Sequence, residues 1–251
     1  MADRSTHAWY PTAAYLYVLH LDDPALAWEY LRRHPGYRRD WLRRRRRPDV
    51  AQAWGLRLLE DPALDARDAH PIWFPDHDTV LQLYPDADPP PNAALFEFWR
   101  IPGHKHLTHD GKRLVLVSRW LRYRVRLVLA PGLAEGMAYL YAVRACVTPR
   151  ASYRTILAEL DKLVTVDGAA PAAAARSRPT PAALLELHTL QALDATLAGA
   201  SLRETATGLF GAEAVAAGWY TDGGLRSRVR RLVRRGQSLM RGGYRRLAQL
   251  D

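Results

Sequence analysis

Arginine is the residue type with the clearest chemistry in this sequence, and it is concentrated near the C-terminus. Nine arginines and no acidic residue lie between Gly223 and Leu250. A solvated surface normally mixes both signs of charge, although arginine is abundant throughout the chain and composition explains part of the excess. Guanidinium groups bind phosphates through paired hydrogen bonds and bind guanine in the major groove. The segment therefore favours contact with nucleic acid.

Two helices are expected ahead of this basic segment. Thr180 followed by proline is typical of a helix start, and leucines recur behind it at three- and four-residue steps until Gly199 ends the helix. Ser201 and Glu204 have the spacing of a capping box, in which each side chain accepts a hydrogen bond from the backbone of the other. The box predicts a second, short helix that closes at Gly211.

The basic segment itself has the period of an amphipathic helix. We expect an apolar connection over residues 212–224. The helix should begin near the end of this connection, with Asp222 as its N-cap. At about 100° per residue, one set of residues forms a buried stripe and another points away from it. The stripe comprises Leu225, Val229, Leu232 and Leu239, and the outward set comprises Ser227, Arg230, Arg231 and Arg234. Helix, short turn, capped helix, connection and basic helix is the order of a helix-turn-helix unit.

The first third of the chain is predicted to form short helices broken by prolines. One helix is expected to start at residues 22–24, with Asp23 as the residue that caps it by accepting a hydrogen bond from a free backbone N–H. A second helix runs from about residue 37 into the arginines at 43–47, and a third covers residues 50–59. Two interpretations of the arginine run stay open. It is either a solvated helix end, where cations favour the helix dipole, or a phosphate contact that supplements the C-terminal unit.

The middle of the chain indicates strands. In residues 121–129 apolar side chains alternate with arginine, which is the period of a half-buried strand. Residues 114–120 and 95–101 also predict strands, and residues 133–147 and 152–164 predict helices. The fold class is therefore α+β, mainly α. The predicted divisions are a helical N-terminal domain at 1–66, a small α+β middle region at 67–166, a linker at 167–179 and a helix-turn-helix domain at 180–251.

Two further groups could do chemistry, but a plainer interpretation is favoured for each. His104, His106, His109 and Asp110 could suggest a metal site, whereas the following glycine favours an exposed hairpin. Cys146, the only cysteine, lies among apolar residues and is expected to be a core residue. No motif of a hydrolase or a phosphate-binding loop is present. We therefore predict no enzyme, no metal and no cofactor.

Composition adds the expected compartment. The chain has 251 residues and a formal net charge of +10, which makes an anionic partner worth testing. No apolar run is long enough to span a membrane, and no signal peptide is visible at the start. We expect a cytoplasmic protein.

Both ends of the sequence resemble one known family, the two-domain transcriptional activators of bacterial integrative and conjugative elements. The C-terminal segments that resemble its extended-turn helix-turn-helix domain are AGASLRETA at 198–206, LFG at 209–211, LRSRVRRL at 225–232 and GGYR at 242–245. The segments that resemble its N-terminal regulator domain are AAY at 13–15, LAWEYLRR at 26–33, PGYRRD at 35–40 and WGLR at 54–57.

The resemblance implies a bacterial activator of excision and transfer genes that binds double-stranded DNA and is associated with the nucleoid when bound to it. It also implies an acidic antiactivator as partner of the N-terminal domain, and RNA polymerase is a further expected partner. The expected DNA-binding residues are Arg203, Arg226, Ser227, Arg228, Arg230, Arg231, Arg234, Arg235, Arg245 and Arg246. The residues expected between the two domains are Trp28, Tyr30, Tyr37, Leu209, Val215 and Trp219. The alternative is an antiactivator or scaffold whose basic surface binds another regulator rather than DNA.

Overall fold

A computed structural model describes residues 9, 11–46, 48–120, 123–143, 149–164, 179–220 and 224–250. The chain divides into two compact units. Unit one comprises Met1–Gly55, Leu59–Pro71 and Arg178–Asp251, and unit two comprises Leu56–Leu58 and Ile72–Ser177. Unit one is helical and unit two contains the sheet, so the predicted α+β, mainly α, class is confirmed.

Eight α-helices and five strands are present in the described residues. The helices are α1 (Asp23–Leu31), α2 (Pro35–Leu42), α3 (Pro149–Val164), α4 (Pro181–Leu197), α5 (Leu202–Phe210), α6 (Ala212–Gly218), α7 (Gly224–Ser238) and α8 (Tyr244–Leu247). The strands are β1 (Val80–Pro85), β2 (His104–His109), β3 (Leu114–Trp120), β4 (Tyr123–Leu129) and β5 (Tyr139–Ala142). Short 3₁₀ helices cover Thr12–His20, Arg44–Arg46, Pro48–Trp54 and Phe98–Arg100, and a π-helical turn covers Leu239–Gly243.

The N-terminal helices of unit one begin at side-chain caps. The Asp22 carboxylate accepts a hydrogen bond from the Ala25 amide at 3.1 Å, so the cap of α1 is Asp22 and not Asp23 as the sequence suggested. The His34 ring nitrogen accepts the Gly36 amide at 3.0 Å and caps α2. The third predicted helix is instead the 3₁₀ helix Pro48–Trp54, which ends at Gly55 with a φ of +76°.

The helices at the other end of unit one follow the predicted order. The Thr180 hydroxyl caps α4 by accepting a hydrogen bond from the Ala183 amide at 3.1 Å. After α4 the chain turns at Gly199, which has a φ of +81°. The capping box of α5 is complete: Ser201 Oγ accepts the Glu204 amide at 3.2 Å, and Glu204 Oε2 accepts the Ser201 amide at 2.8 Å. The connection that was predicted between this helix and the basic helix contains the additional helix α6. The predicted cap at residue 222 lies outside the described residues.

An apolar cluster holds these C-terminal helices together. Its buried members come from α4, α5, α6 and α7, and Leu202, Phe210, Trp219, Leu225 and Val233 pack around them. The buried members are Ala192, Ala206, Leu209, Val215, Val229 and Leu232. The predicted apolar stripe of the basic helix therefore faces the core of unit one.

Unit two is a five-stranded sheet in the order β2-β3-β4-β1-β5. Strands β1 and β4 are parallel, while the other neighbours are antiparallel. One face carries a core of buried strand residues such as Leu116 and Leu127, against which Ile156 and Leu160 of α3 pack. A smaller apolar cluster comprises Val115 of β3, Val128 of β4 and Ile72, which precedes β1.

Two sequence predictions for unit two are wrong, and one of its strands was not predicted. Residues 95–101 were expected to form a strand, but Phe98–Arg100 is a 3₁₀ helix and Leu95 forms only an isolated bridge with Ala138. Within the helix expected over 133–147, Tyr139–Ala142 is strand β5. Strand β1 was not predicted at all. The 167–179 linker and Cys146 fall on residues outside the described part of the chain, apart from position 179.

Candidate nucleic-acid interface

Helix α7 presents its basic face to solvent and its apolar face to α4. Val229, Leu232 and Gly236 are buried. A Cβ atom at Gly236 would lie 3.0 Å from the Cβ of Leu193, so the glycine lets α7 approach α4 closely. This close packing of α7 against α4 fixes the direction in which the opposite face of α7 points.

The predicted DNA-binding residues of α7 share that opposite face and its flanks. All of them are exposed: Arg226, Ser227, Arg228, Arg230, Arg231, Arg234 and Arg235. Arg203 is exposed on α5, Arg246 is exposed on α8, and Arg245 is half-buried there. The structure thus brings the seven α7 residues onto one helix surface, while the other three lie on separate elements.

Several of these arginines are held by neighbouring side chains. The Arg228 guanidinium lies 4.8 Å from the ring centroid of Phe210, and the Arg231 guanidinium donates to the Ser227 hydroxyl at 3.2 Å. Arg235 forms an ion pair with Glu186 of α4. Such contacts orient long side chains before a ligand arrives and reduce the entropy that binding must overcome.

A groove of about 570 Å³ lies between α4 and α7. Leucines of α4 and the basic residues Arg228, Arg231 and Arg235 line it, together with His188. Burial, followed by the charge of Arg228, lowers the pKa of His188 below its usual value. The basic side of α7 therefore borders an apolar floor, and the imidazole in this groove is neutral at physiological pH.

The aromatic residues predicted between the domains take different positions. Tyr30 crosses from α1 to α4, where its hydroxyl donates to Glu186 at 2.6 Å. Trp28 and Tyr37 contact each other edge to face at 5.6 Å, and Trp28 Nε1 donates to the Leu64 carbonyl at 3.1 Å. The other three predicted residues, Leu209, Val215 and Trp219, lie in the cluster of the C-terminal helices.

A polar network that the sequence analysis missed joins the N-terminal elements to α4. The Arg33 guanidinium donates two hydrogen bonds to Asp194, at 2.6 and 2.8 Å, and the Tyr15 hydroxyl donates to the same carboxylate at 2.8 Å. Arg33 also pairs with the buried Glu29, whose other oxygen accepts the Ala66 amide at 2.6 Å. Two acids within the leucine repeat of α4, Glu186 and Asp194, were the available signal of buried ion pairing.

Charge pairing dominates the ionisation of this network. Burial alone would raise the pKa of Asp194, but the Arg33 guanidinium and the Tyr15 hydroxyl outweigh it and hold the pKa below its usual value. The same balance holds for Glu29, where Arg33 and Arg32 outweigh burial and lower the pKa. Both carboxylates are therefore charged at neutral pH and stabilise unit one.

The histidine cluster in unit two lies on an edge strand. His104, His106 and His109 are exposed on β2, while the Asp110 carboxylate accepts the Arg113 amide at 2.8 Å in the following turn. Over the described ranges, no group of three or more His, Cys, Asp or Glu side chains has an arrangement that could hold a metal ion. The turn beside Gly111 agrees with the expected hairpin.

Comparison with known families defines the class of this protein. Residues 147–249 match a T6SS transcription factor DNA-binding domain, and residues 8–58 match a proteobacterial transcriptional regulator-like domain. Residues 78–124 match a domain of unknown function (DUF7011). No curated protein is significantly similar to the chain. The class is thus a DNA-binding transcription regulator, with a regulator-like domain at the N-terminal end and the DNA-binding domain at the C-terminal end.

A helix can cross a membrane only if it is both long and apolar. Among the helices of the described residues, none is both long and apolar enough to cross a bilayer.

Proposed function

We propose that this protein is a transcriptional activator that binds duplex DNA through the exposed face of α7. The observation that carries the proposal is the placement of seven basic or hydroxyl residues on one solvent-facing helix whose opposite face is seated in the core. A basic helix of this kind fits the major groove in the manner of a helix-turn-helix recognition helix. The arginines would neutralise phosphates, and those near the start of α7 would bind base edges.

The role of activator and the genes controlled are part of the proposal. The two matched domains support a DNA-binding transcription regulator. The resemblance of both chain ends is what favours an activator of excision and transfer genes on a mobile element. On this proposal the protein acts in the bacterial cytoplasm, where the DNA is, and binds RNA polymerase or an acidic antiactivator as further partners. It acts by binding and catalyses no reaction.

Selection of bound sequences from a pool of random duplexes tests DNA recognition. We expect enrichment of one sequence, and transcription from a promoter bearing it should rise when the protein and RNA polymerase are both added. A protein that bound only another regulator would enrich no sequence, which would overturn the proposal. A fall in transcription would show repression instead of activation.

Arg230 and Arg234 provide the sharpest test of the face itself. Both are exposed, so replacing them together by Ala should leave unfolding unchanged and weaken duplex binding. Each lost phosphate contact should flatten the plot of log affinity against log salt by about 0.9 units. Arg100 and Arg154, which are exposed in unit two, provide a control of equal charge change. Equal binding by both double variants would remove this face from the site.

A further inference from the structure

The arginines within α2 and directly after it form a second strongly charged surface on unit one. We define the α2 basic surface as Arg38, Arg39, Arg43, Arg44 and Arg45, all of which are exposed. Within the described part of the chain, none of the five forms an ion pair with an acid. Arg44 stacks 3.7 Å over the Trp41 ring and donates to its carbonyl at 2.9 Å, which holds that guanidinium in place. The surface is thus cationic and partly ordered.

The acidic residue within this stretch is turned towards the protein. Asp40 accepts a hydrogen bond from Trp54 Nε1 at 2.9 Å. Trp54 in turn accepts the Tyr244 hydroxyl through its carbonyl oxygen at 3.2 Å. A single tryptophan therefore contacts α2 on one side and α8 on the other. This contact brings α2 close to α8, the helix that follows α7 and its π-helical turn.

Two more contacts confirm how close these segments lie. A Cβ atom at Gly55 would fall 2.1 Å from Leu250 Cδ1, so the backbone after Trp54 passes directly against the end of the chain. The pKa of His34 at the start of α2 is lowered first by burial and then by the charges of Arg39 and Arg241. The charges of Arg39, in the N-terminal part, and of Arg241, in the C-terminal part, therefore both act on the same imidazole.

Arg241 also continues the exposed row of α7. It lies in the π-helical turn Leu239–Gly243, which directly follows α7. It is exposed, as are Arg230 and Arg234. The row of positive charge thus runs along α7, through Arg241, to the α2 basic surface.

We infer that the α2 basic surface is a second binding site for the phosphate backbone of the same duplex that α7 contacts. The inference rests on the proposed function and extends it. From Arg226 to Arg241 the helical rise is roughly 22 Å, which is less than one turn of duplex at about 34 Å. A duplex seated on α7 therefore extends beyond the part that the helix contacts, and its phosphates there are the ligand that we assign to the α2 basic surface. Backbone contacts there set register and affinity without reading sequence.

The test uses the full-length chain with three substitutions, Arg39→Gln, Arg43→Gln and Arg45→Gln. Glutamine preserves length and hydrogen-bonding capacity but removes the charge. The control carries Arg67→Gln, Arg100→Gln and Arg154→Gln, which are exposed elsewhere and change net charge equally. Binding is measured by fluorescence anisotropy at several salt concentrations. The probes are a hairpin with a duplex stem of about 6 base pairs, which at about 3.4 Å per pair is no longer than α7, and a random-sequence duplex of about 30 base pairs, which extends well beyond the helix.

We expect the α2 variant to bind the long duplex more weakly, with a salt slope lower by roughly two to three units. Its affinity for the short duplex should match that of the control. Replacement by Lys at the same three positions should restore the slope, because the site binds charge. Equal slopes for the α2 variant and the control on the long duplex would overturn the inference.

The two proposals fail in different ways. Loss of binding in the Arg230 and Arg234 double variant, with normal binding in the α2 variant, would leave α7 as the site and remove the second surface. Loss only in the α2 variant would assign DNA binding to the N-terminal part and overturn the proposed role of α7.

Discussion

Replacing Asp194 by Asn tests what holds the N-terminal elements against α4. The substitution keeps the shape of the side chain and one acceptor oxygen. It removes the carboxylate, which pairs with Arg33 and accepts a hydrogen bond from the Tyr15 hydroxyl. Removing one partner of a fully buried ion pair costs about 3–5 kcal/mol. The side chain of Asp194 is 24% exposed, and Arg33 retains Glu29 as a partner, so a smaller cost of about 2–3 kcal/mol is expected.

The pH dependence identifies the ion pair as the source of this cost. The pKa of Asp194 is lower in the folded protein than its usual value, so its stabilisation is complete above that value and is lost as pH falls through the folded pKa. Asparagine does not titrate. The difference in unfolding free energy between the wild type and the variant should therefore be largest near about pH 7 and should shrink towards about pH 3.

Urea unfolding at a series of pH values measures both quantities. Asp49→Asn provides the control, since Asp49 is exposed and its replacement should change stability little at any pH. A cost for Asp194→Asn that stays constant from neutral to acid pH would show that packing, and not charge, is responsible. No cost at all would mean that the N-terminal elements are held by other contacts.

Three further substitutions have defined outcomes. Ser201→Ala removes one half of the capping box and should lower the free energy of unfolding by about 1 kcal/mol in urea titrations. Gly208→Ala should cost about 1–2 kcal/mol despite the better helix propensity of alanine, because the new Cβ would lie 2.6 Å from the Trp9 ring. Glu186→Gln releases Arg235 from its ion pair and should tighten duplex binding, with a salt slope steeper by up to about one unit in anisotropy titrations.

Matched variants keep these expectations falsifiable. Gly218→Ala places its Cβ in open space and should be neutral or stabilising, so an equal loss in both glycine variants would refute the steric argument. Thr180→Ala removes another hydroxyl cap and should cost about as much as Ser201→Ala. Unchanged DNA affinity in Glu186→Gln would show that Arg235 takes no part in binding.

Local signals in the sequence were sufficient for much of unit one. The Ser201 box and the Thr180 cap act within three residues, so no distant contact was needed to predict them. The stripe of α7 was predicted because helical periodicity reports burial directly. Strands β1 and β5 were not predicted, since they are short and their partners lie far along the chain. Propensity alone does not determine such pairings.

The exposed face of α7 was predictable from the sequence, whereas the long-range contacts within unit one were not. Periodicity placed Arg230 and Arg234 towards solvent, and both are exposed. The Arg33 pair with Asp194 joins residues that are 161 positions apart, and no pattern in a single sequence specifies such a partner. The proximity of Arg39 and Arg241 has the same origin, because it depends on how α8 packs beside Trp54.

The helical unit is assembled from the two ends of the chain, with unit two encoded between them. During synthesis, α1 emerges from the ribosome well before α4 exists, so Tyr30 lacks Glu186 and Arg33 lacks Asp194 until α4 has been synthesised. A product truncated before α7 would lack both the basic face and part of the core that the N-terminal elements need. On the proposed function, products that end before α7 would therefore not compete for DNA, and duplex binding would begin only once α7 has been synthesised.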